Sequence, residues 1–352
     1  MSNNFIFPAK RNSPIDMHLH TSNSDGEDDL FQVVKKASDR SLSVIAITDH
    51  DHLSLTKVEK YNGVIVIPGI ELTCQYTVPE SNKGSIEIHI VGLFPDNVAD
   101  PSSFDPFIQK AKAEYKDYGK AVISSFCSQT VRWLTYTEVK TIADRERIGR
   151  YEIALALIKR GWATDINSAL EMLSLDVQKC NYMDPPSLEE AVKLILMNGG
   201  IPVLAHPLSY DLALDELEKL TCRFASAIRE LVFAANNLVL GDIEVFYEGY
   251  EAEQISFLKR LSRKHGLLPS AGSDRHGDPQ PFGTLGEAKL FHQMLLAKKI
   301  IDSKQEGIIK YYYPASKEDP MAKYTREFID RVHREKPALF DETVGKLDLS
   351  DN

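Results

Sequence analysis

Seven short apolar runs punctuate the chain: "PIDMHLH" from Pro14, "LSVIAITDH" from Leu42, "GVIVIPGIEL" from Gly63, "SIEIHIVGLF" from Ser85, "GIPVLAHP" from Gly200, "DIEVFYEG" from Asp242 and "LLPSAGSD" from Leu267. Each is rich in β-branched residues and short enough to read as a strand. Helical periods separate many of them. "DDLFQVVKKASDRS" is one, and "EAEQISFLKRLSRKHG" is another, with Ile255, Leu258, Leu261 and, nearer its end, Leu267 at close to helical spacing. Strands alternating with helices predict an α/β fold around a parallel sheet, and about seven such units predict a closed or nearly closed barrel.

One region breaks this rhythm. From about Ser103 to Leu196 the pattern is helical throughout, in "DPFIQKAKAEYKDYGKAVISSF", "TYTEVKTIAD", "RYEIALALIKRG", "DINSALEMLSL" and "SLEEAVKLILMNGG". Asp165 and Ser187 read as N-caps, Gly161 and Gly199 as stops. The expected organisation is a discontinuous barrel over residues 13–102 and 197–300. A helical insertion domain occupies 103–196, and a charged, amphipathic tail follows over 301–352.

Composition narrows the function classes. A chain of 352 residues with 43% hydrophobic and 26% charged residues is an ordinary folded protein. Its net charge of −10 argues against stable binding of duplex DNA. Four scattered cysteines, Cys74, Cys127, Cys180 and Cys222, form no C-x-x-C pair and suit a reducing cytoplasm. The start lacks the apolar run of a signal peptide, and no stretch is apolar enough to span a membrane. The expectation is a cytoplasmic protein.

The strand ends carry the chemistry. Residues i and i+2 of a strand face one side, which places Asp16, His18 and His20 together, opposite Ile15, Met17 and Leu19. Alone, such an H-x-H competes with a polar surface strand. Yet His50 follows the second run, Glu71 ends the third, His89 lies in the fourth, His206 ends the fifth, and Asp274 and His276 follow the last. In a parallel barrel those C-terminal ends converge on one rim. Six of the ten histidines, with Asp25, Glu71 and Asp274, would meet there. Burying them together without cations would be costly.

The ordered motifs H-x-H with D-G, T-D-H-D, G-I-E, H-x-x-G, A-H-P and S-D-x-H-G resemble the polymerase and histidinol phosphatase (PHP) family, over roughly residues 13 to 285. The resemblance implies a distorted (β/α)7 TIM-like barrel and a metal-dependent phosphoesterase. It is nearest to the small phosphoesterases of nucleotides and short RNA ends. It also implies three divalent ions: His18, His20, Glu71 and Asp274 around one, Glu71, His89 and His206 around a second, and Asp25, His50 and His276 around a third. Asp25, His50, Glu71, His206 and His276 would carry the catalysis. Nitrogen and carboxylate donors fit manganese, with iron(II) or zinc as alternatives.

Around this set the readings stay open. Asp16 and Asp49 either orient ligating histidines or cap loops, and His52 either protonates a leaving group or lies on an exposed loop. Glu244 reads as a structural hydrogen-bonding group, and Cys74 as a buried apolar cysteine. "ADRERIGRYEIALALIKRG" sets Arg145, Arg147 and Arg150 at a helix start, which favours anions. Gly149–Arg150 keep half of the family's G-R-P-H, with Tyr151 and Glu152 replacing the rest, so Arg150 is the expected phosphate clamp. Arg275 stands where the family usually has an aromatic residue; it either touches a phosphate oxygen, as the second expected substrate contact, or points outward between two ligands. Lys112, Lys116 and Lys120 form either a basic rail or a solvated stripe. The expected reaction is hydrolysis of a nucleoside 3',5'-bisphosphate or short RNA end by a metal-activated hydroxide. The alternatives are a histidinol-phosphate-type phosphomonoesterase and a silent, metal-containing ligand sensor. The expected partner is a phosphorylated small molecule, nucleotide or short oligonucleotide.

Overall fold

A computed structural model describes residues 13–145, 147–173, 184–235, 241–283, 286–288, 290 and 294–295. The expected tail over 301–352 and Cys180 lie outside the described residues. The strands are β1 (Ile15–Leu19), β2 (Val44–Ile47), β3 (Glu59–Tyr61), β4 (Val64–Thr77), β5 (Ser85–Leu93), β6 (Ile201–Leu204), β7 (Asp242–Tyr247) and β8 (Leu268–Gly272). The helices are α1 (Leu30–Asp39), α2 (Asp105–Gln129), α3 (Tyr136–Ala143), α4 (Arg150–Lys159), α5 (Ile166–Met172), α6 (Leu188–Met197), α7 (Leu214–Ala235) and α8 (Ala252–His265).

Seven strands run round the barrel in the order β1-β2-β4-β5-β6-β7-β8, with β3 paired outside onto β4. The seam closes between β8 and β1. There the Asp274 N–H donates to the His18 carbonyl at 2.9 Å, and the His20 N–H to the Arg275 carbonyl at 3.1 Å. Apolar residues of all seven strands fill the lumen, among them Met17, Ala46, Ile67, Val91, Val203, Phe246 and Ala271. Outward-facing residues such as Ile70, Ile90, Leu204 and Val245 pack against α6, α7 and α8. Residues Ile45, Ile47 and Val66 pack beneath α1, which a capping box of Asp29 and Gln32 starts.

The barrel departs from the expected all-parallel order in one place. Strand β5 is antiparallel to both β4 and β6. Only residues 78–84 join β4 to β5, enough for a hairpin but too few for a parallel crossover. Strand β4 also runs on to Thr77, so Glu71 lies mid-strand, in register with Val91, and does not end its strand.

Helices α2–α5 close around their own core of Val122, Phe126, Val139, Ile153, Leu157 and Ala169, with no strand residue in it. Asp165 caps α5 and Ser187 caps α6 by accepting from backbone N–H groups. Helix α6, which falls within the expected insertion, instead buries Leu188, Ala191, Val192 and Ile195 in the barrel's outer core. Among the described residues, no helix is long and apolar enough to cross a membrane.

Candidate metal centre and adjoining basic cavity

The nine expected donors come together at one barrel rim. His18 and His20 leave the end of β1, where pairing with β2 slips between Asp16 and Leu19. That slip breaks the strict alternation read from the sequence: Met17 packs in the lumen, whereas Leu19 packs beneath α1. His50 follows β2 and bridges to Glu71. His206 and Asp274 sit at strand-end turns with φ of 23° and 53°, a sparsely populated region that turns side chains toward a site.

Glu71, fully buried, is the hub. Its Oε2 lies 3.2 Å from His18 Nε2, 3.1 Å from His20 Nε2 and 3.0 Å from His50 Nδ1. The other oxygen, Oε1, lies 2.9 Å from His89 Nδ1 and 3.1 Å from His206 Nε2. Asp274 Oδ1 is 3.0 Å from His20 Nε2, and Asp25 Oδ1 is 3.3 Å from His276 Nε2. The rings of His20 and His276 stack at 4.2 Å.

These atoms are close without being hydrogen-bonded in a satisfying way. His18 Nε2, His20 Nε2, His50 Nδ1, Glu71 Oε2, Asp25 Oδ1 and Asp274 Oδ1 are buried with no directional partner. Orphaned buried polar atoms on this scale are rare in folded proteins. They fit divalent ions. Three donor groups each lie within 4.8 Å: His20, Asp25, His50 and His276; His18, His20, Glu71 and Asp274; and His50, Glu71 and His89. Nitrogen and carboxylate ligands of this kind suit first-row divalent metals.

The protons answer to the same crowding. Burial opposes charge on Glu71, yet His50, His18 and His89 hold its carboxyl well below the usual range. Burial opposes protonation of His18, but Glu71, Glu244 and Asp274 outweigh it and raise its pKa. Against the same burial, His20 is pushed up to about 10 by its contacts with Asp274 and Glu71, and His89 to about 10 by Glu71 and Glu87. His50 goes the other way. Burial, with the charges of His20 and Arg147, outweighs Glu71 and Asp25 and holds it well below the usual imidazole value.

A surrounding layer fixes the rings. Glu244 Oε1 lies 3.3 Å from His18 Nδ1, while its Oε2 accepts from the His206 N–H at 2.7 Å. The buried acid therefore orients two donors, more than the structural hydrogen bond expected of it. His206 Nδ1 meets Ser209 Oγ at 2.7 Å, His276 Nδ1 meets the Asp274 carbonyl at 2.8 Å, and Tyr247 donates to Asp274 Oδ2 at 3.2 Å. Ser209 and Tyr247 carry no motif that a sequence reading could catch. Asp16 and Asp49 cap loops: Asp16 accepts from Ser273 and Gly283, Asp49 from Thr21, Ser24 and Ser54.

Beside His50 opens a cavity of about 270 Å3, lined among others by Asp51, His52, Lys112, Tyr115, Lys116, Lys140 and Arg147. His52 thus faces the cavity. Of the lysine stripe, Lys112 and Lys116 line it, while Lys120 pairs with Asp117. Arg147 rests 3.7 Å from the Tyr115 ring centroid, and its Nη1 is buried without a partner.

Neither arginine chosen from the sequence turns this way. Arg150, the first residue of α4, donates to the Leu170 carbonyl at 3.2 Å and so points into the helical unit. Arg275 is 1% exposed and bound by Asp28 and Asp278, away from the donors on either side of it. Carboxylates and a carbonyl satisfy the Arg275 guanidinium, whereas Arg150 keeps a buried Nε without a partner beside its bond to Leu170. Cys74 is buried, donates to the Leu72 carbonyl, and has its thiol pKa pushed up by burial.

Comparison with known proteins agrees with this geometry. The PHP domain profile matches residues 16–193, just over half of the chain. A "5'-3' exoribonuclease Rnm" from Salmonella typhimurium is 28% identical over 77% of this chain and 87% of its own length. A "3',5'-nucleoside bisphosphate phosphatase" from Chromobacterium violaceum is 26% identical over 74% and 87%. Among solved structures, an amidohydrolase from Chromobacterium violaceum superposes with a TM-score of 0.62 at 22% identity, covering 80% of this chain and 96% of that one. A "putative metal-dependent phosphoesterase" from Bifidobacterium adolescentis gives 0.59 at 22% identity, covering 81% and 97%. Both share the fold.

Proposed function

We propose, from the premise that this chain belongs to the PHP domain family, that it is a metal-dependent phosphoesterase acting on nucleoside 3',5'-bisphosphates or short RNA ends. The observation that carries the substrate reading is the opening of the donor cluster, at His50, directly onto a cavity with four cationic side chains. One phosphate at the cluster would leave those cations facing a second.

His18, His20, Glu71 and Asp274 would hold one ion, Glu71, His89 and His206 a second, and Asp25, His50 and His276 a third. Manganese is the ion we expect. Such ions, when bound, supply an activated water and neutralise phosphoryl charge. The chain's own side chains do the rest. Arg147, backed by Tyr115 and free at Nη1, holds the distal phosphate, with Lys112 and Lys116 beside it. Glu244 keeps His18 and His206 aimed, and Tyr247 holds Asp274. The free thiols of Cys74, Cys127 and Cys222 suit the cytoplasm, where we place the protein.

Two experiments test this reading. Arg147→Ala should raise KM for a nucleoside bisphosphate about ten- to hundredfold, the value of one charge-assisted hydrogen bond, while changing little for an aryl monophosphate. Arg150→Ala should leave both KM values near wild type. If Arg150→Ala carried the loss instead, the clamp would be Arg150 and not Arg147.

Metal titration gives the second test. His20 and His89 have folded pKa values of about 10, above the ordinary 6.5. Without metal, their pairing stabilises the fold fully below pH 6.5 and is lost as pH rises through about 10. Ions need those imidazoles neutral, so loading at pH 7 releases protons and affinity rises with pH across that window. Calorimetry in buffers of different ionisation enthalpy should show this release, with saturation near the three ions that three donor groups imply. Saturation at one ion, or heats independent of buffer, would rule out the shared cluster.

A further inference from the structure

Arg275 stands between two donors of the cluster, Asp274 and His276, and its side chain leaves in the opposite direction. Its Nη1 donates to Asp28 Oδ2 at 2.9 Å, its Nη2 to Asp278 Oδ1 at 2.8 Å, and its Nε to the Gln280 carbonyl at 3.0 Å. The guanidinium lies over the Phe282 ring, 4.8 Å from its centroid. Lys36 completes the network: its Nζ donates to both oxygens of Asp28, at 2.7 and 2.8 Å, and to Asp278 Oδ2 at 2.7 Å. A planar fork with five donors suits three partners held in this way.

The partners lie on two different loops. Asp28 belongs to the loop after β1 that carries Asp25, whereas Asp278 and Gln280 belong to the loop after β8 that carries Asp274 and His276. Backbone rungs tie the loops as well: the Glu27 N–H donates to the His276 carbonyl at 2.5 Å. Across the same seam Asp25 and His276 approach to 3.3 Å. The other donors have anchors beyond this network. Glu71 and His89 sit in the paired strands β4 and β5, and Asp274 is held by the His18 carbonyl, Gln280 and Tyr247.

The geometry points to Arg275 as a positioning residue: with Asp28, Asp278 and Lys36 it holds the Asp25 loop against the His276 loop and so sets the affinity of the ion site formed by His20, Asp25, His50 and His276. This rests on the metal-centre reading above. Removing an outer partner of a metal ligand typically costs about ten- to hundredfold in affinity. The cost here falls chiefly on that site: the group of His50, Glu71 and His89 does not touch this seam, and Asp274 keeps the His18 carbonyl and Tyr247 when the loop loosens.

The test is a manganese titration of the full chain, reading free ion by electron paramagnetic resonance alongside thermal melting. Arg275→Met alone would leave the buried Asp28 with Lys36 as its one cationic partner, so Arg275→Met is paired with Asp28→Asn. The paired variant should lose the same class of site as Asp25→Asn, by about ten- to hundredfold, and keep the rest. Asp278→Asn changes an exposed partner and should shift that site in the same direction by a smaller factor. It keeps the test open if the paired variant does not fold. An unchanged Asp25-dependent site in a folded variant overturns the clamp. So does a loss spread evenly over every site with the melting temperature, which would make Arg275 merely structural. An isotherm that Asp25→Asn itself leaves unaltered would sink the metal-centre reading, and the clamp with it.

Discussion

Glu71→Gln should abolish nearly all phosphoesterase turnover while far-UV circular dichroism stays that of the native chain. The expectation follows from where the carboxylate sits. Its two oxygens lie 2.9–3.2 Å from nitrogens of five histidines, and Oε2 has no directional hydrogen-bond partner. Glutamine keeps the volume, so β4 and its pairing with β5 need not move. It removes the buried negative charge and turns one oxygen into a donor that faces imidazole nitrogens. Donor groups on both sides of Glu71 lose their shared member at once. Metal stabilisation of phosphoryl charge is worth several kcal/mol, so the rate should fall on the order of a thousandfold or more. Metal content, measured in parallel, should drop as well. Near-normal turnover with unchanged metal content would remove Glu71 from the centre.

How far the site could be read from the sequence depends on which interactions are local. His18 and His20 follow from the spacing of one strand, and the D-G and S-D-x-H-G turns place Asp25, Asp274 and His276 at strand ends. Strand length is less local. "VIVIPGIELTCQYT" is buried almost without a break, so nothing in its pattern marks whether the strand stops at Leu72 or runs on to Thr77; pairing with β5 decides it. The reversal of β5 was hidden for the same reason. Between the arginines the difference is tertiary. Arg147 and Arg150 lie three residues apart, and the Tyr115 ring on α2 is what receives one of them while α5 receives the other. For Arg275 the outward alternative holds: Asp274 and His276 take the cluster side, and Asp28 and Asp278 receive the guanidinium between them. Glu244, an acid between apolar residues of a buried strand, likewise invited a partner on the inward side.

Gly272→Ala should dismantle the same centre from behind, without replacing a single donor. The glycine ends β8, and its backbone needs no unusual conformation; what it provides is space. A Cβ there would stand 2.2 Å from Glu244 Oε1 and 2.4 Å from His18 Cβ. Glu244 could swing aside, but only by giving up both His18 Nδ1 and the His206 N–H. The overlap with His18 Cβ has no such escape, because that atom is fixed by the backbone of β1. His18 must shift, and with it the donor group of His20, Glu71 and Asp274. Overpacking of a close contact costs about 1–3 kcal/mol in stability. Disturbing the carboxylate behind a ligating histidine costs about ten- to hundredfold in metal affinity. Glu244→Gln separates the two effects, since it keeps the space and the acceptor for His206 but removes the charge beside His18. Measured by manganese titration and thermal melting, Gly272→Ala should lose both affinity and stability, whereas Glu244→Gln should lose mainly affinity. If Gly272→Ala melted early yet bound manganese as tightly as wild type, the close approach at β8 would serve packing alone, and Glu244 would have no part in aiming the metal donors.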